Sequence, residues 1–192
     1  MLELHMARGM DLSWLKEVYV SEERGFGCYR WERTKGVKSI SVADKTKKKL
    51  FSSKTMPGGK ALWLPYIPGE INYTTSRGMD VISGPFSGCI MAAYNKREGG
   101  GRRVCHVSTF GESKYDCKAS WEEIKSGCSS YVSFRPHECA RGLSRRQLKK
   151  VGNALVFGVI TGDNRCYGVL VTQSSNGFIG GLMVNMTPEV GP

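Results

Sequence analysis

Three residues have types and spacing suited to chemistry: Ser83, Cys89 and His106. They lie in Ser83-Gly-Pro-Phe-Ser-Gly-Cys89-Ile-Met-Ala-Ala-Tyr-Asn, followed by Lys96-Arg-Glu-Gly-Gly-Gly and Arg102-Arg-Val-Cys-His106-Val-Ser-Thr. A free cysteine is mostly thiol at neutral pH and a weak nucleophile. An imidazolium beside it stabilises the thiolate and lowers its pKa. The same histidine then protonates a leaving group as a general acid. Gly88 leaves room for a substrate carbonyl, and the backbone N–H of Cys89 or a neighbour can serve as an oxyanion donor. A third polar group usually orients the histidine. Ser83, on the loop entering the hairpin, is the candidate, with Ser87 and Ser108 as competitors.

The elements that position these groups read as a β-hairpin, two apolar runs around a glycine-rich charged turn. Pairing Asn95 with Gly100 closes a loop over Lys96 to Gly99 and sets Cys89 opposite His106. Opposed residues share a face, with Cβ atoms about 4.5–5.5 Å apart. An odd slip would part them. Cys105 points to the opposite face from His106 and serves as an internal control. A cysteine in a strand is otherwise a small core residue. The rival pair His137 and Cys139, two residues apart after Pro136, needs a turning loop to meet. His5 reads as a surface residue.

Turn signals recur at Gly36, Asp44, Pro57, Pro68, Gly99, Thr161 and Ser175. Short β-rich runs lie between them: 37–42, 50–53, 61–66, 71–75, 89–94, 104–109, 131–134, 154–160, 166–172 and 178–186. Helices are expected over 11–18, over 120–127 ending at Gly127, and over 144–151 from a capping serine. This inventory predicts an α+β fold, a mixed β-sandwich with helices packed outside, as a single domain over residues 1–192.

Composition bounds the function. The chain has 192 residues, 40% hydrophobic and 23% charged, which reads as globular. No apolar run approaches the roughly 18 residues of a membrane span. Glu3, His5, Arg8 and Asp11 interrupt any apolar signal core near the N-terminus. The expectation is therefore a protein of the cytosol, or one delivered to a host cytosol without a Sec signal. Lys plus Arg outnumber Asp plus Glu by 28 to 17, a net charge of +11. The basic patches are 45–49, 96–103 and 141–150. Such a balance attracts nucleic acid, acidic protein surfaces or anionic membrane. A non-enzymatic binder of nucleic acid or of the translation machinery is the alternative reading, although no RNP motif, KH loop or helix-turn-helix is evident. The seven cysteines are odd in number and read as reduced thiols. No CxxC pair or zinc-ligand spacing occurs, so no metal is expected.

The spacing Ser83-x5-Cys89-x16-His106, with Ser-Gly before the cysteine, resembles the cysteine-dependent protein glutamine deamidases. That family includes the chemotaxis deamidases, the catalytic domain of the cytotoxic necrotizing factors and the Burkholderia lethal factor. The likeness to the lethal factor extends to Leu62-Trp63-Leu64-Pro65-Tyr66 followed by Gly69-Glu70, to Gly158-x-x-Thr161-Gly162, and to Thr172-Gln-Ser174-Ser175. It runs from about Gly36 to the C-terminus, and the first 35 residues match weakly. The resemblance implies a necrotizing-factor-like mixed β-sandwich and hydrolysis of a glutamine side-chain amide in a target protein, as a toxin or effector. It maps Cys89 onto the nucleophile, His106 onto the acid/base and Ser83 onto the family threonine, and it requires no cofactor. The family's targets include a host translation-initiation RNA helicase and Rho-type GTPases. An acidic target surface would suit the charge of this chain.

Overall fold

The computed structural model describes residues 32–33, 38–41, 60–109, 116–144, 154–174 and 177–192. The expected helix over 11–18, the expected strand over 50–53 and the expected helix beyond Ser144 lie outside the described residues.

Among the described residues, twelve strands form two six-stranded sheets. The first contains β1 (Glu32–Arg33), β4 (Ile71–Thr75), β7 (Arg103–Val107), β6 (Ile90–Lys96), β8 (Cys128–Phe134) and β12 (Glu189–Gly191), in that spatial order. The second contains β11 (Gly177–Met186), β10 (Cys166–Ser174), β9 (Ala154–Ile160), β5 (Asp80–Gly84), β3 (Lys60–Pro65) and β2 (Lys38–Ser41). The architecture is thus mixed α+β, two sheets with few helices.

Period-two alternation decides what each face meets. Leu62, Leu64, Val81 and Ile160 of the second sheet pack against Met91, Ala93, Val104 and Phe134 of the first, forming a core between the sheets. The alternate residues Ala61, Trp63, Ile82, Phe157, Val159, Val169 and Val171 build a separate buried layer on the second sheet's other face. Burial on both faces explains the nearly continuous apolar runs of β3 and β9.

The outer face of the first sheet carries Ala92, Tyr94, Cys105 and Val107 against helix α1 (Cys117–Ser126). Cys117, Trp121 and Ile124 recur at helical spacing and bury one stripe. Trp121 packs edge-on against Tyr94 at 5.9 Å and Tyr131 at 6.0 Å between ring centroids. The helix starts three residues earlier than the sequence pattern indicates, because Asp116 is the cap. Its Oδ1 accepts from the backbone N–H of Lys118 at 2.9 Å and of Ala119 at 3.1 Å. A 3-10 helix, Pro136–Gly142, packs against β9 and β10.

The central hairpin forms with a different register. Met91, not Cys89, stands opposite His106, and the last β6–β7 pair is Tyr94 with Arg103. Asn95 and Lys96 instead continue along β8, opposite Ser130 and Cys128. Three consecutive glycines, Gly99 to Gly101, with φ of 85°, 98° and 78°, carry the longer return loop. The slip is two residues, so facing is preserved. A second difference concerns Ser83. It lies on β5, in the middle of the second sheet, rather than on a loop entering the hairpin. Strands β3 and β5 are parallel neighbours, joined through β4 in the other sheet, and this crossover sets Ser83 beside Leu64.

The cap gives a direct stability test. Asp116→Ala removes the acceptor for two helix N–H groups and is expected to cost about 1 kcal/mol in urea unfolding, with unchanged m-value.

Candidate active site

The site is built where the two sheets face each other. His106 is on β7, flanked by β4 and β6; Ser83 is on β5, flanked by β9 and β3. Both side chains point between the sheets and are buried. Ser83 Oγ lies 2.8 Å from His106 Nδ1 and 2.6 Å from the carbonyl oxygen of Leu64. A hydroxyl has one proton and a carbonyl can only accept. Ser83 therefore donates to Leu64 O and accepts from His106 Nδ1–H. This assigns the tautomer: the proton sits on Nδ1, and Nε2 keeps its lone pair. Nε2 is buried with no hydrogen-bond partner.

Two rings hold the imidazole. Phe86 stacks on it with centroids 4.0 Å apart and planes 9° apart. Tyr66 lies 4.9 Å away, tilted by 37°. Phe86 is fixed by its backbone N–H, which donates to Val156 O at 2.8 Å. A glycine of β9 makes the space: a Cβ at Gly158 would stand 2.7 Å from Met91 Sδ and 3.1 Å from Phe86 Cε2. Gly158 pairs directly with Ser83.

Cys89 precedes β6 and belongs to the same inter-sheet cluster as Phe86 and Met91, so it shares the face that His106 uses. It is 6% exposed. Thr109 Oγ1 donates toward its sulfur at 3.9 Å. Burial raises the pKa of the Tyr66 phenol nearby. No hydrogen bond joins the thiol to His106. Catalytic hydrogen bonds of this kind are often completed only in the substrate complex. Gly88 is half-buried, and a Cβ there would meet Thr109 Oγ1 at 3.4 Å.

Burial pushes the His106 pKa down to about 3. At neutral pH the imidazole is uncharged. The expected resting imidazolium, stabilising a preformed thiolate, is therefore corrected: a ring this dry cannot hold a charge without a counterion. What the arrangement offers is a neutral base with a free lone pair.

The other candidates fall elsewhere. Ser87 is exposed, while Ser108 is buried and its Oγ accepts from Gly69 N at 2.9 Å, so neither reaches His106. Cys105 faces α1. His137 and Cys139 share the 3-10 helix, with no hydrogen bond between them; burial pushes the Cys139 thiol up to about 11. Cys166 is pushed up to about 12, chiefly by burial. None of the six described cysteines forms a disulfide. Thr161, in the late glycine motif, has other partners: its Oγ1 bonds Asp163 at 2.5 Å, and its carbonyl accepts from Arg102 at 3.0 Å. Arg102, in the basic patch over 96–103, also binds Ser76 at 2.8 Å and Asn164 at 2.7 Å. Sequence reasoning did not single out Tyr66 or Phe86 as site residues. Their only sequence signal was an aromatic beside each motif. Among the described residues no group of three or more His, Cys, Asp or Glu is placed to hold a metal. No helix among them is long and apolar enough to cross a membrane.

Two outcomes follow from this packing. Gly158→Ala forces Met91 and Phe86 to shift and is expected to cost about 1–3 kcal/mol in unfolding free energy. For His106 the folded pKa lies below the unfolded one. Its contribution is complete above about pH 6.5 and is lost as pH falls toward about 3, on the order of a few kcal/mol. In urea titrations across that window, His106→Gln is expected to lose stability less steeply than wild type; parallel slopes would contradict a buried neutral ring.

Comparison with family models, curated proteins and solved structures finds no match to this chain.

Proposed function

We propose that this protein is a cysteine-dependent protein glutamine deamidase, hydrolysing a side-chain carboxamide of a target protein to glutamate and ammonia. The observation that carries the reading is the Ser83–His106 hydrogen bond, which directs an unpartnered Nε2 lone pair from the same sheet face that presents Cys89. The spacing of these three residues, their Ser-Gly context and the likeness to the deamidase family add support.

In this mechanism the Cys89 thiol passes its proton to Nε2 as sulfur attacks the carboxamide carbon. The oxyanion forms against backbone N–H groups around Gly88 and Cys89. The new imidazolium exists only transiently and returns its proton to the departing nitrogen. Ammonia leaves, and a thioester remains on Cys89. Water then attacks that thioester while Nε2 takes its proton. Collapse expels the sulfur, which regains the proton from the imidazolium, and the product acid ionises to glutamate. Ser83 keeps the ring in the tautomer both half-reactions need. No cofactor enters these steps. An amine in place of water would give a transglutaminase-type adduct. The net charge of +11 favours an acidic target surface and acts on the association rate more than on the chemistry. The target is a protein glutamine, with a translation RNA helicase and Rho-type GTPases as the classes that the family likeness points to.

The test is incubation with eukaryotic lysate and mass spectrometry for glutamine-to-glutamate conversion. Wild type is expected to convert specific sites. Cys89→Ala and His106→Ala are expected to abolish conversion with the fold retained. Ser83→Ala is expected to lower it by about tenfold to a hundredfold, the scale of one lost orienting hydrogen bond. Cys105→Ser is expected to retain it. Spectra identical between wild type and Cys89→Ala contradict the reading, and salt-sensitive RNA binding that survives Cys89→Ala would favour a non-enzymatic binder instead.

A further inference from the structure

The reacting groups are closed off. Nε2 of His106 is buried, and Cys89 is 6% exposed. A glutamine side chain reaches them only if something moves. Two rings flank the imidazole, and they differ in how they are held. Phe86 is 3% exposed, stacked flat at 4.0 Å, anchored through its backbone to Val156 and seated over Gly158. Tyr66 is half-exposed and tilted, packs on the cluster that contains Cys89 and Phe86, and has its hydroxyl 3.5 Å from Ser108 Oγ, at the outer limit of a hydrogen bond. It follows Pro65, the last residue of β3, where the chain leaves the second sheet for the first. The backbone is held on both sides of it: Pro65 O accepts from Asn72 Nδ2 at 2.9 Å, and Gly69 N donates to Ser108 Oγ at 2.9 Å. The side chain can therefore turn on a fixed backbone.

We propose that Tyr66 is the residue that controls entry to this site. Its ring closes the approach to Cys89 and His106, and a planar primary carboxamide gains the thiol by displacing the ring and lying against the imidazole. Only the identity of that ligand rests on the deamidase reading; the closure itself does not. The vacated space suits a carboxamide on two counts. The amide is flat, like the ring it replaces. It is also uncharged, and so enters a dry apolar layer at less cost than a carboxylate. The neutral imidazole also offers a carboxylate no compensating charge.

Iodoacetamide, itself a primary carboxamide, is the probe. Its reaction forms the S–C bond and releases iodide, and the thiol proton passes to solvent. The rate of modification of the Cys89 peptide is read by mass spectrometry on the full chain at neutral pH, with near-UV circular dichroism reporting the fold. Tyr66→Ala is expected to react about tenfold faster than wild type, as for a site whose local opening step has been removed. Tyr66→Phe keeps the ring and is expected to stay within about twofold of wild type. Should Tyr66→Ala not yield folded protein, Tyr66→Val serves, with the same increase expected. An unchanged rate in the folded small-residue variant overturns the proposal. So does a fall in Tyr66→Phe, which would assign the hydroxyl rather than the ring. The acceleration in the absence of any glutamine conversion would leave the gate standing and remove the deamidase reading. Conversion by wild type with no acceleration would do the reverse.

Discussion

A hydrogen bond between strands of opposite sheets governs this site. Ser83 comes from the middle of one sheet and His106 from the middle of the other, and their side chains meet in an otherwise apolar layer. An imidazole in such a layer costs free energy unless its polar atoms are satisfied. Ser83 satisfies one nitrogen and, because its own proton is committed to Leu64 O, does so as an acceptor. The surroundings conform to that bond. Gly158 leaves room under Phe86, Phe86 lies flat on the imidazole, and the β3–β5 pairing puts the Leu64 carbonyl within reach.

The same burial sets the style of chemistry. A dry imidazole stays neutral, so the pair does not rest as thiolate and imidazolium. In the proposed mechanism, charge separation happens only when the substrate arrives and the oxyanion, the imidazolium and the backbone dipoles can compensate one another. The other buried thiols are separated from this chemistry by position or by burial. Cys139 and Cys166 are held firmly protonated, and Cys105 sits in the layer under α1.

Some of this was legible in the chain. The hairpin, its inward face and the separation of Cys105 from His106 followed from period-two alternation, which tolerates a slip of two residues. The slip itself was not legible, because three glycines at positive φ and the pairing of Asn95 and Lys96 with β8 are properties of the whole sheet. The run Asp80-Val-Ile-Ser-Gly is short and bounded by Gly78 and Gly84, so it read as a loop; only the parallel crossover makes it a central strand. The neutrality of His106 depends on burial by residues distant in sequence. Asp116 was missed as a cap because the apolar stripe of α1 begins with a cysteine.

The central claim is that the imidazole of His106 is neutral, carries its proton on Nδ1 toward Ser83, and keeps an unprotonated Nε2. Nitrogen NMR of histidine-labelled protein measures this directly. The account predicts a pyrrole-type signal for Nδ1 and a pyridine-type signal for Nε2, both unchanged from neutral pH down through the ordinary histidine range to about pH 5. Two protonated nitrogens at neutral pH, or a titration centred near the usual value, would contradict it.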